Sequence, residues 1–353
     1  MTPNRAIATA AADQVEPLCT DQVLLDDWHV VGFSSDLESG MVLPAQLLGH
    51  DLVFWRDASG APHVWEDLCI HRGSRLSKGC IVNDTVVCPY HGWRFDRTAK
   101  CVLIPATPQH PPPTKARAVS YPVEEKFGFI WTTLGSPVRG VSGFPEWSDE
   151  GFIKVHAGPY PWHSSGYRAM ENFLDATHFP FVHAGVNGVG SQPDEIDDYD
   201  VIEDIEGLRS SEIRVFQPYG DPREVPVRAG YSYRCLRPFV AYFSKRVEVA
   251  DPASSYRSNP ADRFCTFFTA QPVNERTCII RICTARNFSP ELTDAAVHRR
   301  QDLVYSQDRE IVETQRPERI PLNLREELHH RSDRLGQRYR RWLHEQGVRY
   351  GTV

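Results

Sequence analysis

Two pairs of metal-ligand residues stand out in the first third of the chain. Cys69 and His71 are separated by one residue, and sixteen residues later Cys88 and His91 are separated by two. Two thiolates and two imidazoles suit either a tetrahedral zinc ion or a two-iron cluster in which one iron has two Cys ligands and the other has two His ligands. Zinc ribbons and fingers usually place roughly two to four residues between paired ligands, so the spacing of the first pair favours the cluster.

Three glycines beside these ligands support the same interpretation. Gly73, Gly79 and Gly92 lie where two loops must turn closely around inorganic sulfide. Glycine permits such turns and exposes backbone N–H groups that can donate to sulfur. Both ligand pairs are therefore predicted in tight loops at strand ends, which pinch the cluster between them.

A second group of ligand types follows near the middle of the chain. Asn172, Asp175 and His178 are three residues apart and are predicted to share one helix face. On an unbroken helix His183 would point about 140° away from His178, but Pro180 can kink the helix so that both imidazoles converge. Two histidines beside an aspartate on an apolar segment predict a metal site.

A carboxylate to complete that site is expected on the helix 301–316. Four apolar residues define one face of this helix: Leu303, Val304, Ile311 and Val312. Asp308 lies about 50° from the centre of that face, and three other acidic residues lie outside it: Asp302, Glu310 and Glu313. A buried acid must be paired or bound to metal. Asp308 is thus the predicted third ligand of a mononuclear Fe(II) site, and its pairing with Arg309 or Arg316 is the alternative.

Taken in order, these motifs resemble those of the Rieske non-heme iron oxygenases, large (alpha) subunit, over nearly the whole chain. The later helices resemble the type that lacks a small beta subunit, the phthalate, vanillate and N-demethylase-like group. The resemblance implies a Rieske [2Fe-2S] cluster, a mononuclear Fe(II) and O2 as co-substrate. It assigns the cluster ligands to Cys69, His71, Cys88 and His91 and the iron ligands to His178, His183 and Asp308. It also assigns a bridging catalytic role to Asp175, between the metals of neighbouring chains in a homotrimer or hexamer.

The activity that this resemblance implies is hydroxylation or oxidative demethylation of a small aromatic or heterocyclic organic substrate. One alternative is cis-dihydroxylation of an aromatic acid. An electron carrier built on the cluster alone is disfavoured, because about 200 further residues with a separate two-His site would have no purpose in it. A zinc-stabilised binding protein is the remote alternative, and visible absorption with labile sulfide would distinguish it from a cluster protein.

The predicted fold class is α+β. Short alternating strands in the first half predict an all-β domain, and long β-type runs followed by helices 290–316 and 323–346 predict an antiparallel sheet wrapped on helices. With the family resemblance, this becomes a Rieske domain followed by a helix-grip (START-like) catalytic domain. The predicted divisions are an N-terminal extension, the Rieske domain and the catalytic domain: 1–22, 23–155 and 156–353.

Composition narrows the class of protein further. The 353 residues carry a net charge of −7, which argues against nucleic acid as the main partner. Nine cysteines without a recognisable secretion signal argue against a disulfide framework, and a cytoplasmic protein without membrane spans is expected. The seven cysteines outside the motif are expected to be small buried apolar residues: Cys19, Cys80, Cys101, Cys235, Cys265, Cys278 and Cys283.

The sequence also bears on partners and substrate. No Gly-rich dinucleotide fingerprint is present, so a separate NAD(P)H-dependent reductase or ferredoxin is expected to supply electrons. Residues 69–101 carry six basic and two acidic side chains, and this local charge could dock an acidic partner.

Six aromatic residues are candidates to line a pocket for a planar ring: Phe216, Tyr231, Tyr233, Phe239, Tyr242 and Phe243. Four arginines are candidates to bind a carboxylate or a sulfonate, or are exposed strand residues: Arg214, Arg228, Arg234 and Arg237.

Overall fold

The computed structural model describes residues 17–257 and 259–353, so most of the predicted N-terminal extension lies outside the described residues. The first half consists of one short helix and many short strands. These elements are α1 (Gln22–Leu25), β1 (His29–Phe33), β2 (Val42–Leu47), β3 (His50–Arg56), β4 (Pro62–Glu66), β5 (Cys80–Val82), β6 (Thr85–Val87), β7 (Arg94–Phe95), β8 (Cys101–Leu103), β9 (Ser120–Tyr121), β10 (Val123–Lys126) and β11 (Phe129–Thr132).

The second half combines long strands with a few helices. Its elements are β12 (Ile153–Trp162), α2 (Gly166–Phe173), α3 (Phe179–Val182), β13 (Val201–Asp204), β14 (Gly207–Ser210), β15 (Ile213–Gln217), β16 (Val227–Arg237), β17 (Val240–Val249), β18 (Arg263–Pro272), β19 (Cys278–Arg286), α4 (Asp294–Val312) and α5 (Arg334–Glu345). None of the helices in the described ranges is long and apolar enough to cross a bilayer.

Three small antiparallel sheets build the first half. Their strand orders are β2-β3-β4-β9, β5-β6-β7-β8 and β1-β11-β10. The sequence Asp57-Ala58-Ser59-Gly60 predicts a hairpin turn, and the structure has it between β3 and β4, where Asp57 Oδ1 accepts from the backbone N–H groups of Ser59 and Ala61. The loop from β4 to β5 carries Cys69 and the loop from β6 to β7 carries Cys88, so both predicted ligand pairs lie beside one small sheet.

One large antiparallel sheet dominates the second half, in the order β12-β19-β18-β17-β16-β14-β13, with β15 paired to β16. Its two faces follow the two-residue alternation of side chains along a strand. In β18, Cys265 and Phe267 belong to a core shared with Trp131 of β11. Phe268 of the same strand belongs to a different core, which it shares with Met170 of α2. The sheet is therefore covered by the first half on one face and by helices on the other.

Several predicted boundaries differ from the observed ones. The predicted runs 231–249 and 264–286 are each two antiparallel strands joined by a short connection. Strand β12 was not predicted, and the predicted domain boundary at 155/156 falls inside it. Since β12 pairs with β19 from Ile153 onward, we propose the boundary just before Ile153. The last helix begins at Arg334 rather than at 323.

Helix α4 begins where its capping residue permits. The side chain of Thr293 accepts from the backbone N–H of Ala296, which satisfies one of the free donors of the first turn. The predicted start at 290 was therefore four residues early.

All nine cysteines are free. The prediction that the seven cysteines outside the motif are buried was wrong for Cys80, which is exposed at the start of β5.

Candidate metal centres

The loops around Cys69 and Cys88 have the same backbone turn. The N–H of Gly73 donates to the carbonyl of Cys69 at 2.9 Å, and the N–H of Gly92 donates to that of Cys88 at 3.0 Å. Both glycines have left-handed φ values, +68° and +69°, which glycine adopts without a steric penalty. Gly79 is required for a different reason: a Cβ there would lie 2.0 Å from the carbonyl oxygen of Val87.

The two loops place like ligands together. The thiols of Cys69 and Cys88 are within hydrogen-bond reach and each residue is only 2% exposed. The imidazole rings of His71 and His91 have centroids 4.5 Å apart, and His91 is exposed. The cysteines thus form the inner edge of this site and the histidines its outer edge.

This arrangement fits a two-iron cluster better than zinc. The donors of a tetrahedral zinc site would all lie about 3.4–3.8 Å apart, whereas no three donor atoms of Cys69, His71, Cys88 and His91, all of them described residues, lie within 4.8 Å of one another. The buried Nδ1 of His71 has no hydrogen-bond partner among the described residues. A nitrogen that binds a metal has no hydrogen-bond partner either, because its lone pair is directed at the metal. Burial raises the pKa of the Cys69 thiol to about 11, so its ionisation calls for a cation beside it.

A second centre brings together His178, His183 and Asp308, whose donor atoms all lie within 4.8 Å of one another. The Oδ1 atom of Asp308 is 3.1 Å from Nε2 of His183 and 3.4 Å from Nε2 of His178. This oxygen is buried, yet it accepts no well-directed hydrogen bond. Three donors converge on one point, as the facial arrangement of a mononuclear Fe(II) site requires.

Hydrogen bonds to the other ring nitrogens fix this arrangement. Nδ1 of His178 lies 2.8 Å from Oδ2 of Asp175, and Nδ1 of His183 lies 2.9 Å from Oε1 of Gln307. Because both oxygens are acceptors, each Nδ1 carries the proton and each Nε2 directs its lone pair toward Asp308. Sequence analysis did not find Gln307, although it directly precedes Asp308 on α4.

The electrostatics of this centre favour a cation. Burial lowers the pKa of His178, but the neighbouring carboxylates of Asp175 and Asp308 outweigh burial and raise it to about 9. For Asp308 the two effects have the opposite signs. Burial raises the pKa of this carboxyl, but the two imidazoles outweigh burial and hold the pKa well below its ordinary value. The site therefore holds a positive charge, and a divalent metal supplies that charge without a proton.

The local chain differs from the single kinked helix that was predicted. Helix α2 ends at Phe173, and the carboxylate of Asp175 then accepts from the backbone N–H groups of Thr177 and His178. Such side-chain bonds compete with helix continuation. Pro180 lies in the first turn of the separate helix α3, where proline is well tolerated. The prediction that Asp175 and His178 share a helix face with Asn172 was therefore wrong.

Asp308 is buried, but the predicted apolar face of α4 was misplaced. The buried residues of this helix are Val297, Gln301, Tyr305, Asp308 and Val312, whereas Leu303 and Ile311 are about half exposed. The alternative partners of Asp308 are engaged elsewhere, since Arg309 pairs with Glu313 and Arg316 with Glu318.

A cavity opens in front of this centre, and the empty space there, together with the open solvent at its mouth, is about 700 Å³. The ring of Phe173 lies nearly parallel to that of Phe268, with centroids 4.3 Å apart, and the walls are mainly aromatic. Among the predicted aromatic candidates, three line the cavity: Tyr231, Tyr233 and Phe243. None of the four predicted arginines does, and three of them pair with acidic residues elsewhere. The cavity instead contains two cations that sequence analysis missed, Lys245 and Arg300.

Comparison with known proteins identifies the family of each half of the chain. Residues 27–122 match the family model of the Rieske [2Fe-2S] domain. Residues 162–348 match that of the vanillate O-demethylase oxygenase C-terminal domain. The chain therefore belongs to the Rieske oxygenases of the vanillate O-demethylase type, and the predicted fold class and family are confirmed. It is a Rieske-type oxygenase component that depends on a [2Fe-2S] cluster, a mononuclear iron and O2.

Individual relatives are similar over most of the chain. It is 29% identical to methylxanthine N1-demethylase NdmA of Pseudomonas putida, over 90% of this chain and 88% of that protein. A structure of NdmA with caffeine superposes with a TM-score of 0.75 at 26% identity, covering 92% of this chain and 91% of that one. A 114-residue stretch is 43% identical to oxidoreductase NdmD of the same species, covering 32% of this chain and 19% of that protein.

Proposed function

We propose that the two centres are the metal sites of one catalytic chain. Cys69, His71, Cys88 and His91 hold the [2Fe-2S] cluster, and His178, His183 and Asp308 hold the mononuclear iron. Support comes from the separation of the first four ligands into a thiol pair and an imidazole pair, and from the convergence of the other three on one buried point. When bound, these groups supply single electrons and a site for dioxygen activation.

The protein residues orient and enclose the reaction. Asp175 and Gln307 hold a proton on Nδ1 of each histidine and so keep each Nε2 free. Asp175 also accepts from the backbone N–H of His178, which fixes the start of α3. The aromatic walls of the cavity exclude water and hold a planar ring in place.

We further propose that the reaction is oxidative demethylation of a small aromatic or heterocyclic N-methyl or O-methyl compound. One oxygen atom of O2 inserts into a methyl C–H bond, and the other leaves as water after uptake of two electrons and two protons. The resulting hydroxymethyl group then leaves as formaldehyde, so atoms and electrons balance. The observation that carries this proposal is an aromatic-walled cavity opening on His178, His183 and Asp308, and the name of the relative NdmA agrees with it.

Electrons are proposed to come from NAD(P)H through a separate reductase or ferredoxin, in the cytoplasm. Five of the basic residues between Cys69 and Cys101 are exposed: Arg72, Arg75, Lys78, Arg97 and Lys100. An acidic surface on the electron donor would complement them. Raising the ionic strength should therefore slow reduction of the cluster by the donor.

The working unit is proposed to be a head-to-tail homotrimer, with a hexamer of two rings as the larger form. Ile70 and Tyr90 are 51% and 64% exposed directly beside the histidine ligands, as an interface would require. The side chain of Asp175 is 28% exposed. Its Oδ1 would accept from His91 of a neighbouring chain in place of the Thr177 hydroxyl, while Oδ2 holds His178. Each cluster would then serve the iron of the next chain.

A mixing experiment tests transfer between chains. A cluster-deficient chain (Cys69→Ser, Cys88→Ser) is co-assembled with an iron-deficient chain (His178→Ala, His183→Ala), each inactive alone. Transfer across the interface restores activity in mixed rings, because some neighbours combine an intact cluster with an intact iron site. Activity that stays absent in mixed rings of verified composition would show that transfer occurs within one chain.

The reaction itself is tested by turnover with a matched panel. The iron-loaded protein, a reductase and NADH are supplied with methoxy-aromatic and N-methyl heterocyclic compounds. We expect substrate-dependent oxygen uptake with one formaldehyde released per NADH consumed. A cis-diol product without formaldehyde would instead support the dihydroxylase alternative.

A further inference from the structure

The cavity in front of the iron ligands contains a buried lysine with spare hydrogen-bond donors. Lys245 on β17 is 4% exposed, and its Nζ donates to the carbonyl of Gly220 at 2.7 Å. The same nitrogen lies over the rings of Phe264 and Tyr231, 5.0 and 5.5 Å from their centroids. Among the described residues it forms no ion pair with a carboxylate. Because an ammonium has three donors, two remain for a ligand.

A second cation faces the same part of the cavity from the opposite layer. Arg300 projects from α4, and its Nη2 donates to Oδ1 of Asn187 at 3.0 Å. Within the described ranges, this guanidinium too lacks an ion pair with a carboxylate. Asp221 is the acidic residue that influences both cations, but its two oxygens are engaged by Arg223 at 2.6 and 2.7 Å. The region therefore carries excess positive charge.

The two cations also affect each other. Burial, and after it the charge of Arg300, lower the pKa of Lys245 to about 7. Burial likewise lowers the pKa of Arg300. Keeping such charges out of water is unfavourable unless an anion compensates them. A bound anion would remove that cost for both groups at once.

Other buried arginines show how this chain usually handles such charges. Arg168 and Arg340 share the carboxylates of Glu171 and Glu327, at distances down to 2.6 Å. Within residues 17–257 and 259–353, Arg281 and Arg286 form no ion pair with a carboxylate, but they do not line the cavity. Lys245 and Arg300 differ from all of these because they line the cavity in front of the iron ligands.

We propose that Lys245 and Arg300 form an anion subsite for the carboxylate of a planar aromatic or heteroaromatic acid. This inference rests on the proposed demethylase function, and it names the substrate class. Arg300 precedes Asp308 by eight residues on α4, roughly 12 Å along the helix axis. The carboxylate and the reacting methyl group would thus occupy opposite ends of the cavity, with the ring between the aromatic walls. Asp308 is the only acidic residue among the described residues that line it.

Binding of two nearly identical compounds tests this assignment. The probes are 4-methoxybenzoate and its neutral counterpart 4-methoxybenzamide, titrated calorimetrically into the iron-loaded holoenzyme. We expect the carboxylate to bind on the order of tenfold tighter than the amide. Lys245→Met and Arg300→Gln should each remove about tenfold of carboxylate affinity and change amide affinity by no more than about twofold.

Matched variants control for folding and for overall charge. Lys115→Met and Arg299→Gln remove exposed cations and should leave both affinities unchanged, while Lys245→Arg should retain the preference for the carboxylate. Iron content and the visible spectrum of the cluster establish that each variant is folded. The assignment is overturned if the amide binds as tightly as the benzoate, if neither binds, or if the preference survives in the double variant.

Formaldehyde measured in parallel separates the two proposals. Charge-dependent binding without formaldehyde from either compound would count against demethylation and leave the anion subsite standing. Formaldehyde from the amide but not from the benzoate would support demethylation and contradict the subsite.

Discussion

The two metal centres are built by opposite means. All four proposed cluster ligands lie in two short loops, and each loop is closed by a glycine N–H that donates to the cysteine carbonyl. The proposed iron ligands come from the segment around α3 and from α4, and they are oriented by the side chains of Asp175 and Gln307. The first centre thus depends on backbone conformation, and the second depends on side-chain hydrogen bonds.

Exposure differs in the same way. At the cluster the cysteines are buried and His91 is exposed, so the histidine edge is open to an electron-transfer partner. At the iron centre His183 and Asp308 are almost fully buried, and the open side is the substrate cavity. The open edge of the proposed cluster centre suits a protein partner, and the cavity at the proposed iron centre suits a small molecule.

The largest expected effect comes from removing the carboxylate of the iron centre. Asp308→Ala should lose the mononuclear iron and all turnover, because two neutral imidazoles alone leave the site without its anionic ligand. The visible spectrum of the cluster should be unchanged, since the cluster loops make no use of α4. Iron analysis and oxygen uptake provide the measurements.

Asp302→Ala is the matched control on the same helix. Asp302 accepts from the hydroxyl of Tyr160 and lies on the exposed side of α4. Retention of iron and activity in this variant is expected. The reverse pattern, in which Asp302→Ala loses iron and Asp308→Ala retains it, would show that the third ligand was misassigned.

The sequence-based predictions differed in accuracy between the two centres, and the difference reflects this contrast. The cluster ligands are readable because two loops bring together residues 69–91, and the spacing alone distinguishes them from most zinc motifs. His178 and His183 were recognised as a pair, but the sequence did not reveal that Asp175 ends one helix and starts another. An aspartate that caps a turn and one on a helix face have the same spacing to His178.

Residues that depend on tertiary packing were harder to find. Gln307 has no sequence signal beyond its position next to Asp308. Lys245 was missed because lysines in strands are usually exposed, although it follows Phe243 by two residues and therefore shares the inward face of β17. The alternation of side chains along β17 was therefore the available signal for Lys245, one of the two cations of the proposed anion subsite.

A smaller effect is expected at the residue that orients His178. Asp175→Asn should keep both metal sites loaded and reduce turnover by about 10–100-fold, because the charged acceptor for Nδ1 of His178 is lost. Metal content and single-turnover rates provide the measurements. Near-normal rates in a fully loaded variant would reduce Asp175 to a capping residue.

Thr177→Val separates the two roles of Asp175. The Thr177 hydroxyl donates to Oδ1 of Asp175 at 2.7 Å, whereas His178 uses Oδ2. Removing this hydroxyl loosens the cap without changing the charge beside His178. We therefore expect a loss of stability with little change in turnover per iron.

Gln307→Leu should have a weaker effect than Asp175→Asn. The bond from His183 to Gln307 is neutral, and charge-assisted hydrogen bonds are roughly twice as strong as neutral ones. We expect iron affinity to fall by about tenfold, at the low end of the range for such positioning residues, with turnover per bound iron nearly preserved. The neighbouring variant Ser306→Ala, on an exposed side chain, should leave iron affinity unchanged, and an equal loss in both variants would contradict the positioning role.

The smallest effect is expected at the cluster loops, where it acts through the backbone. Gly92 has φ +69°, and a Cβ there would lie 3.1 Å from Cγ of Pro105, whereas a Cβ at Gly73 would meet only Cδ1 of Leu68 at 3.8 Å. A left-handed conformation costs an alanine about 1–2 kcal/mol. Gly73→Ala and Gly92→Ala should therefore both lower the midpoint of thermal cluster loss, and Gly92→Ala should lower it by more.

Gly60→Ala supplies the control, since Gly60 has φ +89° and open space around it but lies in the β3–β4 hairpin away from the ligands. That variant should destabilise the fold by a similar amount without raising the rate of cluster release from folded protein. Iron-centre occupancy should be unchanged in all three variants, and a glycine variant that releases the mononuclear iron first would contradict the separation between a backbone-defined centre and a side-chain-defined one.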